Sequence, residues 1–212
     1  MFKLIAALAA ASALAAIVAD WRETKPPLFL ALKPLTTILI AGIAALAPES
    51  DYRLLILGGL ALSLAGDVCL MFEGDAAFIG GLSSFLLAHL VFMAAFLIGL
   101  PAWPVPWWVL GFVAYGAVFA ALLLPRAGKL KLPVLLYGLV LAGMAVTASV
   151  RYSALQSTGA LLALIGAGLF LISDSALGTR KFVGRYVGAQ GLILSTYWLS
   201  IGLIAASTLD AQ

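Results

Sequence analysis

Long apolar runs recur along the chain, broken by short stretches that carry most of the polar and charged residues. Eight runs are long enough to cross a bilayer, which takes about 20 residues. Their approximate limits are 2–19, 28–47, 54–72, 77–100, 106–124, 132–150, 156–178 and 186–207. Within them the pattern is helical or uniformly apolar. Nothing alternates with the period of two that marks a barrel strand. The pattern therefore predicts one all-α domain over residues 1–212, a bundle of eight transmembrane helices. A weak parallel internal repeat is expected between segments three–four and seven–eight. Each pair has an aspartate near the end of its first helix (Asp67, Asp174), then a phenylalanine (Phe78, Phe182), then a polar residue in the next helix (His89, Gln190).

Composition strengthens this picture. Of 212 residues 64% are hydrophobic and 10% charged, whereas a soluble domain carries about 25% charged residues. So few charges do not cover a soluble surface, and the chain reads as an integral membrane protein. The net charge of +3 is too small to suggest a nucleic-acid partner. Cys69 and His89 are the single cysteine and the single histidine. An internal disulfide and a His-rich zinc site built from this chain alone are thereby excluded.

Charge placement sets an expected orientation. The first, third, fifth and seventh loops hold Arg22, Lys25, Arg126, Lys129, Lys131, Arg180, Lys181 and Arg185, against Lys3, Arg53 and Arg151 on the other side. The richer side faces the cytoplasm. Both termini are then expected outside it, in a membrane of the bacterial inner type. Residues 2–19 also resemble a secretory signal peptide. Cleavage would weaken the charge bias, so a retained helix is the preferred reading. The uncharged Pro101–Trp108 loop reads as an aromatic belt at the outer interface. Tyr137, Gly138 and Gly143 read as ordinary helix packing.

With this topology, polar residues of five helices fall in the cytoplasmic half. Lys33 lies about 8 Å into segment two, and Asp67 and Asp174 lie roughly 6–9 Å from the ends of theirs, at 1.5 Å per residue. Gln190 is about one turn into segment eight, and His89 lies deeper. Ser63 and Gly66 make the Asp67 face small, and Gly166 lies two turns before Asp174. Pro34 follows Lys33 and frees the carbonyl of Leu30. Thr36, Thr37 and Ser173 add hydroxyls nearby.

A shared cavity is the expectation, because an intramembrane carboxylate is costly and functional by default. Each residue also has a plain structural role open to it. Lys33 can snorkel to the head groups, the aspartates can pair with Lys33 or Arg180, His89 and Gln190 can be packed interior residues, and Glu73 and Asp75 can be a solvated loop. Two carboxyls in one dry cavity do not both ionise cheaply. One is then a general acid and the other a carboxylate, which is equipment for hydrolysis without metal or covalent nucleophile. No G-x-S-x-G or HExxH occurs, so lipase and zincin schemes lack support.

Lys33-Pro34-Leu35-Thr36-Thr37, Gly66-Asp67, Phe78-Ile79-Gly80-Gly81-Leu82, Phe85-Leu86-Leu87-Ala88-His89, Ser173-Asp174-Ser175 and Gln190 together resemble the YhhN family of membrane lysoplasmalogenases. The resemblance runs from about Lys33 to Tyr197. It implies hydrolysis of the vinyl-ether bond of lysoplasmalogens, giving a fatty aldehyde and glycerophosphoethanolamine or glycerophosphocholine. Asp67 and Asp174 are the expected catalytic residues. Lys33, Thr36, His89, Ser173 and Gln190 are the expected substrate-binding residues, with no cofactor and no metal. The expected partners are a lysophospholipid and the bilayer, and oligomeric state stays open. The competing readings are a proton-coupled transporter, for which intramembrane carboxylates and a repeat are equally suited, and a lipid-binding or structural membrane protein.

Overall fold

The computed structural model describes residues 1–210, so the last two positions of the expected 1–212 domain lie outside the described residues. It is helical throughout, with no strand among the described residues. The helices are α1 (Phe2–Ala19), α2 (Pro27–Ala45), α3 (Asp51–Cys69), α4 (Asp75–Leu97), α5 (Val109–Leu123), α6 (Lys131–Leu155), α7 (Thr158–Phe182) and α8 (Ala189–Ala206). Short 3₁₀ turns occupy Leu124–Arg126, Gly128–Leu130 and Ser207–Asp210. All eight helical spans are long and apolar enough to cross a membrane, with α5, α6 and α8 taken together with their flanking 3₁₀ turns. In hydrocarbon a helix satisfies its own backbone polar groups, which is why uniformly apolar runs of this length fold this way. The chain is an integral membrane protein.

Local signals set the ends. Ser50 and Ser157 cap α3 and α7, each accepting from the backbone N–H three residues on, Arg53 and Ala160, at 3.2 Å. Pro27 opens α2, where its missing N–H costs nothing. Pro34 sits inside α2 without interrupting it.

Most helix ends fall within three residues of the sequence expectation, and the two largest departures are at the ends of α6 and α7. α6 runs to Leu155 and α7 to Phe182. Arg151, read from the sequence as a loop charge, is therefore a buried residue of α6. Its guanidinium lies 3.9 Å from the Tyr52 ring centroid and donates to the carbonyls of Ala95 and Ile98 at 3.4 and 3.3 Å. These are carbonyls at the end of α4 that lack helical partners, and Arg151 satisfies them. Arg53 likewise belongs to α3.

Helices α2, α3, α4, α6, α7 and α8 form a ring, each packed on the next, with α8 returning to α2. α1 lies against α2 and α8, and α5 lies mainly against α6. The two tightest pairs are the hairpins α3–α4 and α7–α8, the same two pairs compared as a repeat. Glycine lets each close up. A Cβ on Gly66 would stand 2.6 Å from the Phe85 ring, and one on Gly166 would stand 2.8 Å from the Ser200 carbonyl. Hydrocarbon outside the bundle competes equally for apolar side chains, so such close backbone approach is a main source of cohesion. Gly66→Val is expected to lower the thermal midpoint in detergent by several degrees, since overpacking a core costs about 1–3 kcal/mol. Light-scattering or fluorescence melting of the purified variant checks this.

Candidate functional site

The loops α1–α2, α3–α4 and α7–α8 gather at one end of the bundle. A cavity of about 450 Å³ opens there. Lys33, Asp67, Ser173, Asp174 and Gln190 all line it, each from the helix to which the sequence assigned it. Both aspartates thus face one void, although more than a hundred residues separate them in the chain.

Asp67, on the last full turn of α3, is 1% exposed. Its Oδ1 lies 3.4 Å from Lys33 Nζ, and the same ammonium donates to the Asp67 carbonyl at 3.2 Å. Its Oδ2 accepts from Thr37 Oγ1 at 2.7 Å and Tyr197 OH at 2.8 Å. A buried carboxylate is tolerated when paired and hydrogen-bonded in this way. Lys33 itself is 7% exposed, so it is an interior cation and does not reach up to head groups.

Asp174, on α7, has a different environment. Tyr137 OH of α6 donates to its Oδ2. His89 Nε2 stands 3.9 Å from the same oxygen, beyond hydrogen-bond range. No Lys or Arg lies within ion-pair distance of Asp174 among the described residues. The two carboxyls are therefore chemically unlike: one faces an ammonium and two hydroxyls, the other a phenol.

Ser173 Oγ donates to the Ile193 carbonyl at 3.0 Å, tying α7 to α8 beside the cavity. Gln190 accepts from Arg180 and donates from Nε2 to Asp20 Oδ2 at 2.5 Å. Arg180 in turn lies 3.7 Å from Glu23 Oε1. The pairing of Asp174 with Arg180, open on sequence grounds, does not form. Glu73 lines the cavity mouth, while Asp75, at the start of α4, is exposed and lies 3.5 Å from Lys181 Nζ.

Two expected binding residues stand elsewhere. Thr36 lies about 100° around the helix from Thr37 and so faces α1. Its hydroxyl meets Ser12 Oγ at 2.8 Å and donates to the Leu32 carbonyl, and it does not line the cavity. His89 is fully buried behind Asp174, its ring 4.5 Å from that of Phe170 and 5.3 Å from that of Tyr137. It does not line the cavity either.

Four contributors lay outside the sequence reading. Tyr137, read as packing, is the partner of Asp174. Tyr197 follows Gln190 by seven residues, two turns along the same face of α8, and that spacing is a usable signal. Asp20 and Lys25 belong to the α1–α2 loop. Asp20 is fully buried and accepts the Lys25 N–H at 2.6 Å, while Lys25 Nζ donates to the Met71 carbonyl at 3.1 Å. Only the folded loop brings these two to the cavity.

The comparisons with known proteins bear on the same residues. The model of the YhhN family matches residues 28–208, which include every residue of α3 to α8. The chain is similar to lysoplasmalogenase TMEM86B of Homo sapiens, with 32% identity over 179 residues, covering 84% of this chain and 74% of the human protein. It is also similar to a lysoplasmalogenase of Mycobacterium tuberculosis, with 33% identity over 175 residues, covering 79% of this chain and 64% of that one. No solved structure matches the chain.

Proposed function

The chain belongs to the YhhN family, and on that premise we propose that it is a lysoplasmalogenase, a hydrolase of the vinyl-ether bond in single-chain alkenyl glycerophospholipids. The observation that carries the reading is the cavity lined by both Asp67 and Asp174. Vinyl-ether hydrolysis begins with protonation of the outer alkene carbon and passes through an oxocarbenium ion. A carboxylic acid and a carboxylate on one void supply the proton, oppose the positive charge and activate water. Lys33, Lys181 and Arg185 along the same cavity suit the phosphate of the head group.

Depth agrees with the chemistry. The head group of a lysolipid stays at the interface, and its first chain atoms lie a few ångströms below. A site bounded by Asp67 on the last turn of α3 and by Asp174, eight residues before the end of α7, meets the ether bond there. Orientation follows the charged loops. The cavity end carries the excess of Lys and Arg and is the cytoplasmic end, with both termini on the far side. A reporter fused after the last residue is inactive in the cytoplasm if this holds and active there if it does not.

The decisive experiment uses purified protein in detergent, with no gradient present. Aldehyde is expected from an alkenyl lysolipid, with none from its alkyl-ether analogue, which cannot form the oxocarbenium ion by protonation. A carrier would release aldehyde from neither. No aldehyde from the alkenyl substrate would overturn the hydrolase reading.

A further inference from the structure

A second cavity, of about 560 Å³, opens between α4, α5, α6 and α7. Leu82, Phe119, Leu135, Leu141, Val146 and Phe182 are typical of its wall. Asp174 is the one charged side chain among the described residues that line it. Its volume lies within the range of small-molecule sites, about 300–1,000 Å³.

The two cavities adjoin: Leu70, Phe78, Phe85, Asp174 and Leu177 line both. On one side stand Lys33, Arg180, Lys181 and Arg185. On the other the wall is hydrocarbon. Asp174 is at the junction, and Asp67 lines the polar side alone. A lysolipid divides in the same way, charged at one end and apolar at the other, with its ether bond at the boundary.

We propose that the apolar cavity between α4, α5, α6 and α7 holds the hydrocarbon chain of the single-chain lipid, and that Asp174, at its junction with the polar cavity, is the residue that protonates the alkene. This rests on the hydrolase reading above and assigns the two carboxyls their separate roles. The carbon that receives the proton lies on the chain side of the ether oxygen, hence beside the acid on the chain side. Tyr137 donates to Asp174 Oδ2, which leaves Oδ1 to carry the proton. Asp67, opposed by Lys33, is the carboxylate.

The steps balance. The alkene π pair takes the Asp174 proton to form a C–H bond, leaving an oxocarbenium ion. Water adds to the cationic carbon and its proton passes to Asp67. The resulting hemiacetal then breaks its bond to the glycerol oxygen. That oxygen takes the proton from Asp67, and the hemiacetal hydroxyl returns its proton to Asp174 as the aldehyde carbonyl forms. One water is consumed and both carboxyls are restored.

Gly138 offers the test. It lines the apolar cavity, and a Cβ there meets nothing within 4 Å, so a leucine side chain would enter the open space. In Gly138→Leu the kcat/KM ratio of a sixteen-carbon over an eight-carbon alkenyl lysolipid is expected to fall about tenfold or more, the scale on which a filled apolar pocket discriminates. A second measurement needs no variant. An alkyl-ether lysolipid with a diazirine at its chain end, photolysed on the wild-type protein, is expected to label wall residues such as Phe119, Leu135 and Val146.

An unchanged ratio in an active Gly138→Leu protein overturns the proposal. So does labelling confined to outward-facing residues such as Leu132 and Leu136, whatever becomes of the variant. Wild-type protein that releases no aldehyde from any chain length sinks the hydrolase reading instead, and the crosslinks still decide where the chain lies.

Discussion

Asp174→Asn is expected to lower aldehyde release by about 10²–10⁴-fold, the contribution typical of one positioned acid. Asparagine keeps the size of the side chain and can still accept from Tyr137, so the fold survives and the loss is read directly from turnover. It has no carboxyl proton to deliver to carbon. Binding of the unreactive alkyl-ether analogue is expected to change little, because the residue stands at the junction of the cavities and anchors neither end of the ligand. Asp67→Asn is expected to give a loss on the same scale. Turnover in Asp174→Asn within a fewfold of wild type would remove this residue from the chemistry, even if the family activity were intact.

The second large effect is on stability. Lys33→Met leaves Asp67 buried, with its Thr37 and Tyr197 donors but no cation. Breaking one half of a buried pair costs about 3–5 kcal/mol, whereas replacing both halves with apolar residues is often neutral. Lys33→Met alone is expected to unfold at markedly lower denaturant. The double variant Lys33→Met/Asp67→Leu is expected to recover most of that loss while releasing no aldehyde. Denaturant midpoints of the three proteins, measured in one detergent, check the order. A double variant as unstable as the single one would mean that the pair is not the source of the cost. The comparison separates what Asp67 does for the fold from what it does for the reaction.

Much of this architecture was legible beforehand because the bilayer restricts the choices. Apolar runs of spanning length have one helical solution, and loop prolines, serines and glycines mark their limits. Asp67, Asp174, Lys33, Ser173 and Gln190 could be placed at one end of the bundle by counting residues from the helix ends, since depth along a helix is linear in sequence. What counting does not give is rotation. Thr36 and Thr37 share a depth, yet one faces α1 and the other Asp67. His89 comes within 3.9 Å of Asp174 but lies behind it and does not line the cavity. Arg151 was misread for a different reason. A charge near the end of an apolar run looks like a boundary, but here it satisfies the α4 carbonyls from inside α6. Tyr137 carried no signal at all, because its role depends on α6 lying against α7, a neighbour relation that local pattern does not encode.

The ring of Phe85 occupies the space that a side chain at position 66 would need. It also stands edge-on to Phe170 and Tyr197 and borders both cavities. Substitutions at these two sites are therefore expected to be coupled. A branched residue at 66 is expected to be better accommodated once the ring at 85 is exchanged for something smaller. Such a trade would also alter the partition between the two compartments, so mutational history at this pair should track changes in which lipids a descendant accepts.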